Sequence, residues 1–85
     1  MEGKVVIKMS GMVLEVPRKE IREILETPDG INFHFIGGSY FSFSHQYLPS
    51  EVKQKIKITA DRFLNAKVTI DLNNLNQPVS VDMTP

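Results

Sequence analysis

Apolar side chains recur at every second position on both sides of a Ser-Gly pair near the start of the chain, and no other feature limits the possible folds so strongly. Val5, Ile7 and Met9 precede Ser10-Gly11, and Met12, Leu14 and Val16 follow it. A period of two belongs to a strand buried on one face. A two-residue loop at Ser10-Gly11 pairs Met9 with Met12, Ile7 with Leu14 and Val5 with Val16, so that all six apolar side chains share a face. The chain therefore opens on a β-hairpin over residues 4 to 16.

The next segment reads as a helix. Pro17 suits a first helical position, where its missing N–H has no helical partner. Charged residues then surround Ile21, Ile24 and Leu25, the i, i+3, i+4 spacing of a short amphipathic helix. Thr27-Pro28 blocks its continuation, and Pro28-Asp29-Gly30 is turn chemistry.

A second hairpin is expected from Ile31 to His45. A two-residue Gly37-Gly38 loop would set Phe33 against Ser42 and His34 against Phe41, mixing polar and apolar groups on both faces. A three-residue Gly37-Gly38-Ser39 loop pairs Phe35 with Phe41, Phe33 with Phe43 and Ile31 with His45, and leaves His34 with Ser42 and Asn32 with Ser44 on the other face. The second register separates the faces, with Ile36 and Tyr40 flanking the loop on the polar side.

From Pro49 to about Asn65, Val52, Ile56, Ala60, Phe63 and Leu64 recur at helical spacing. The alternation of Lys53, Lys55 and Lys57 with apolar neighbours also fits a strand, but an uninterrupted strand of that length would be atypical. Lys67 to Leu72 alternates again, and Val79, Val81 and Met83 return as an edge strand in the register 72 with 79, 70 with 81 and 68 with 83. The expected architecture is a single α+β domain over residues 1–85. It has a small, mostly antiparallel sheet of five or six strands and two helices, in the order ββαββαβ(β).

At 85 residues the chain is short for a self-sufficient core. Several sheet edges in so small a domain favour pairing with another copy, so a homo-oligomer is expected. Ten basic and ten acidic residues cancel, which argues against a long nucleic-acid duplex or a membrane as partner. The uncharged stretch from Gly30 to Ser50 contains three Gly and one Pro, which excludes it as a membrane helix. Cys is absent, which rules out disulfides, thiol nucleophiles and Cys-bearing zinc sites; with no apolar leader at Met1-Glu2-Gly3-Lys4, a cytoplasmic protein is expected.

Six of the seven aromatic residues, Phe33, Phe35, Tyr40, Phe41, Phe43 and Tyr47, fall within fifteen uncharged positions. The phenylalanines on one face read as core. Tyr40, Phe41 and Tyr47 read as contact residues for a partner or ligand, with Lys53, Lys57 and Arg62 as nearby cations. His34 and His45 point to opposite faces in the chosen register, so no metal site is expected, and no cofactor. Ser44-His45 lacks a nucleophile elbow, Gly37-Gly38-Ser39 lacks the Lys and setting of a phosphate loop, and Glu51, Asp61, Asp71 and Asp82 are dispersed. No catalytic residue is assigned.

Phe33-His34-Phe35, Gly37-Gly38, Tyr40, Phe43, Leu48-Pro49-Ser50-Glu51-Val52, Ala60-Asp61, Phe63 and Asn65 together resemble the KTSC family, a small domain named for its occurrence at the C-terminus of lysyl-tRNA synthetases. The likeness covers residues 31 to 65. It implies a small α+β binding module, with nucleic acid suspected as ligand, and carries no catalytic residue over. The expectation is a non-enzymatic protein that binds another protein, an adaptor or inhibitor of the kind small bacterial and phage genes encode. The alternative is capture of a small nucleotide or short single-stranded nucleic acid by aromatic stacking and local Lys or Arg.

Overall fold

The first hairpin forms in the register its alternation requires. In the computed structural model, which describes residues 3–44 and 48–83, β1 (Lys4–Met9) pairs with β2 (Met12–Pro17) through Val5↔Val16, Ile7↔Leu14 and Met9↔Met12. Ser10 and Gly11 take φ values of 43° and 78°, the left-handed pair that joins two twisted strands tightly. The Ser10 N–H is held by Asn73 Oδ1 at 2.9 Å.

The expected first helix is a strand. After a single 3₁₀ turn at Arg18–Glu20, β3 (Ile21–Thr27) runs antiparallel to β4 (Gly30–Phe35). The reason lies in the register, which shifts between Ile21↔Phe35 and Glu23↔His34. The extra residue turns Ile21 and Ile24, three positions apart, to the same buried face, as a β-bulge does. That spacing is also the helical one. Only two residues, Pro28 and Asp29, separate the Thr27↔Gly30 pair, so the turn chemistry closes a hairpin and does not end a helix.

Strand β4 also pairs with β5 (Tyr40–Ser44), through Ile31↔Phe43, Phe33↔Phe41 and His34↔Tyr40. This is a two-residue slip from the expected register. The Phe35 N–H reaches Ser39 O at 2.9 Å and the Gly38 N–H reaches Phe35 O at 3.2 Å, so the three-residue loop is Ile36-Gly37-Gly38. Gly37 and Gly38 both carry positive φ, 100° and 95°, which places the two glycines inside the loop and Ser39 in the ladder. A slip of two keeps every side chain on its expected face. The expected pairing of Ile31 with His45 is replaced by Ile31↔Phe43, and His45 itself lies outside the described residues.

The later helix forms but ends earlier than expected, as α1 (Ser50–Arg62), with Pro49 at its N-cap and Val52, Ile56 and Ala60 buried along one stripe, while Phe63 caps its end and Leu64 is exposed beyond it. Strand β6 (Lys67–Asp71) then lies parallel to β1, and β7 (Val79–Asp82) lies antiparallel to β6 through Val68↔Val81 and Ile70↔Val79. Here too the register slips by two from expectation. The Asp71 N–H bonds Pro78 O at 2.7 Å, while the Leu72 N–H bonds Lys8 O at 2.9 Å and extends the ladder to β1.

The described residues thus hold one α-helix and seven strands in two sheets, ordered β2-β1-β6-β7 and β3-β4-β5. The expected single sheet of five or six strands with two helices is overturned. Both sheets and the helix enclose one core, whose largest fully buried side chains are Phe33, Ile7, Ile31, Ile56 and Ile70. Arg18 fastens the corner where the sheets meet. Its Nε donates to Ala60 O at 3.1 Å, Nη1 to Ile21 O at 3.0 Å and Nη2 to Asp61 Oδ1 at 3.2 Å, which joins the 3₁₀ turn, β3 and the helix end. Helix α1 packs against β3, β6 and β7 and so closes one side of the two-sheet core. No helix among the described residues is long and apolar enough to cross a membrane.

Candidate functional site: a cleft between strand edges

One side of the core is left open, and no described residue of the helix lines it. There the edge strand β2 of one sheet faces the β4–β5 hairpin of the other across a cleft of about 390 Å³. Leu14 and Val16 line it from β2, and Phe35, Ile36, Tyr40 and Phe41 line it from the hairpin, with Glu20 and Ser39 as its polar members. Its walls follow from strand parity. Leu14, Phe35 and Phe41 belong to inner faces and are only partly buried against the core; Leu14 and Phe41 lie on the edge strands β2 and β5, and Phe35 ends the central strand β4. The rings of Phe33 and Phe41 sit 6.2 Å apart at 46°, so the fully buried Phe33 fixes the exposed flank of the cleft to the core.

Ile36 and Tyr40, two of the seven large hydrophobic residues left exposed among those described, line the cleft; Met12 and Val13 of β2 are exposed too but do not line it. Tyr40 is 62% exposed and stacks on His34 with centroids 5.4 Å apart and ring planes 21° apart. On the same outer face the Ser42 hydroxyl donates to Asn32 Oδ1 at 2.7 Å. A stacked ring is presented to a partner at low cost in side-chain entropy.

The candidate contact residues do not form one site. Tyr40 and Phe41 line the cleft. Lys53, Lys57 and Arg62 lie on α1 and none of them lines it. Lys53 is buried, and its Nζ donates to Thr27 O at 2.7 Å, so it ties the helix to the end of β3 and is not offered to a ligand. Lys57 is half-buried, and the Arg62 guanidinium lies 5.7 Å from the centre of the Phe63 ring. Tyr47 falls outside the described residues. Among the described residues no Lys or Arg lines the cleft, and Glu20 is its one charge.

Reading the residues alone missed Leu14, Val16, Phe35 and Ile36 as cleft residues. Alternation puts the first three on inner faces, where the structure also has them. What was not legible is that β6 takes the far side of β1 and leaves β2 at an edge.

A second concavity of similar volume lies beside Gly3, Lys4, Glu15 and Pro17. Lys4 Nζ and Glu15 Oε1 are 2.7 Å apart there, and the ammonium group holds the Glu15 carboxyl below its ordinary range. Its charges answer each other, whereas the apolar cleft walls have no counterpart. No protein-family model, curated protein or solved structure matches the chain, so the likeness to the KTSC family rests on the quoted residues alone.

Proposed function

We propose that this is a non-enzymatic cytoplasmic binding protein that recognises another protein, which lays an extended apolar segment into the cleft between β2 and the β4–β5 hairpin. The observation that carries the reading is the lining itself, which among the described residues has six apolar or aromatic side chains, one carboxylate and no cation, between the edge strand β2 and the β4–β5 hairpin. Exposed sheet edges bind extended chains through main-chain hydrogen bonds, and alternate side chains of the guest enter flanking pockets. A nucleotide would bring phosphate charge to a cleft whose only charged member is acidic, so the same lining weighs against the nucleotide reading. The lack of Cys suits a reducing compartment.

Selection from a displayed library of random peptides tests this. The expected binders alternate apolar side chains, and Phe41→Ala or Leu14→Ala weakens them at least about tenfold, or ~1.4 kcal/mol, while Lys57→Ala leaves them unchanged. A panel of nucleotides that raises the melting temperature, with the rise lost in Lys57→Ala or Arg62→Ala, contradicts the proposal.

A further inference from the structure

Among the described residues four strands lie at sheet edges, and three of them carry the devices that discourage edge pairing. Strand β2 has Glu15 and Pro17. Strand β3 is bulged, carries Arg22, Glu23 and Glu26, and has main-chain oxygens capped by Arg18 at Ile21 and by Lys53 at Thr27. Strand β7 is four residues long and includes Asp82. Strand β5 has none of these. Its sequence, Tyr-Phe-Ser-Phe-Ser, contains no charge, no Pro and no bulge, and every residue in it except Ser favours a strand.

The register shows which main-chain groups of β5 face outward. Because Phe35 and Ser39 form a hydrogen-bonded pair, Phe33↔Phe41 and Ile31↔Phe43 do so too, and Tyr40, Ser42 and Ser44 turn their N–H and C=O groups away from β4. The segment is also its own complement. A two-fold axis at Ser42 sets Ser42 against Ser42 of the second copy, Tyr40 against Ser44 and Phe41 against Phe43, with rings on one face and hydroxyls mainly on the other. No like charges meet, whereas the same operation on β2 would bring two Glu15 side chains into one small seam.

We infer that the partner at this open side is a second copy of the chain, joined by antiparallel pairing of β5 with β5. This rests on reading the cleft as a protein-binding surface and names its occupant. The pairing extends the three-stranded sheet to six strands and runs along the open side of the cleft. A seam of five residues a side is small, so association is weak and concentration-dependent.

Sedimentation equilibrium of the full chain over a wide concentration range tests this. The weight-average mass should climb from 9.7 kDa toward twice that value. Ser42→Pro removes an outward N–H without touching the β4 ladder, and Ser42→Lys sets two cations together at the axis. Each should weaken association at least about tenfold, while Val13→Lys on the β2 edge leaves it unchanged. Circular dichroism melts of the variants confirm that they fold. A mass fixed at 9.7 kDa up to millimolar protein, or association that survives both Ser42 substitutions, overturns the inference. A monomer that still binds a library-selected peptide at the cleft overturns it too and leaves the cleft reading standing; a nucleotide bound instead defeats both.

Discussion

Arg18 does more for this fold than its place in a three-residue turn suggests. Two of its three bonds go to main-chain oxygens, of Ala60 and Ile21, that face the junction of sheet and helix. A charged donor to a carbonyl is worth about 1.5–3 kcal/mol, and losing it strands the acceptor. Arg18→Met should therefore lower the unfolding free energy by about 2 kcal/mol in urea titrations, whereas Asp61→Asn, whose carboxylate is mostly exposed, should cost under about 1 kcal/mol. Lys53 was legible as a cation but not as a tether, since the strand end it holds was read as the close of a helix. At Glu15 the carboxyl is held down first by its hydrogen bond from Lys4 and then by the charge of Lys4 and Lys67, below the 4.5 of an ordinary glutamate. A depressed carboxyl adds stability above its unfolded pKa and loses it as pH falls through the folded one. Carbon-detected NMR titration should find Glu15 titrating below 4.5 and returning toward that value in Lys4→Met.

At the scale of elements, what the sequence made legible divides at β3. Uninterrupted alternation gave hairpin β1–β2 its full register, and four-residue spacing gave α1 its buried stripe, because the first pattern has one geometric meaning and the length of the second segment decides between its two. Ile21, Ile24 and Leu25 have two. A bulged strand and a short helix both turn Ile21 and Ile24 to one face, and nothing local decides between them; pairing with β4 does. The fates of Ile24 and Leu25 differ accordingly. Ile24 is buried opposite Phe33, while Leu25 pairs with Asn32 on the other face and is half-buried. Ile24→Ala should cost about 2–4 kcal/mol and Leu25→Ala no more than about 1 kcal/mol, where a docked helix would make the losses similar. The two later slips in register, at β4–β5 and β6–β7, were invisible for a related reason. A shift of two preserves every face, so hydrophobic pattern is silent and the loop decides, through the positive φ of Gly37 and Gly38 in one case and the bonds of Asp71 and Leu72 in the other.

Over the whole molecule, function follows from an asymmetry of closure. Among the described residues one helix serves two sheets, and it packs against β3, β6 and β7. The cleft side keeps two edge strands, β2 and β5, and the exposed Ile36 and Tyr40. The aromatic cluster that pointed to a contact surface was visible in the sequence, and Tyr40 and Phe41 belong to it. Its opposite wall was not visible, because the parallel pairing of β1 with β6 joins strands more than fifty residues apart and alone makes β2 an edge. The central claim is that this side is open and receives an extended chain. Residue-resolved amide hydrogen exchange, on dilute protein with and without a library-selected peptide, tests it most directly. Ser42 and Glu15, whose N–H groups face outward, should exchange fast in the free protein while Phe41 and Leu14 beside them are protected, and the peptide should slow Ser42 or Glu15. Protection of both outward amides in the dilute free protein, or a peptide that slows only amides of α1, would contradict the account.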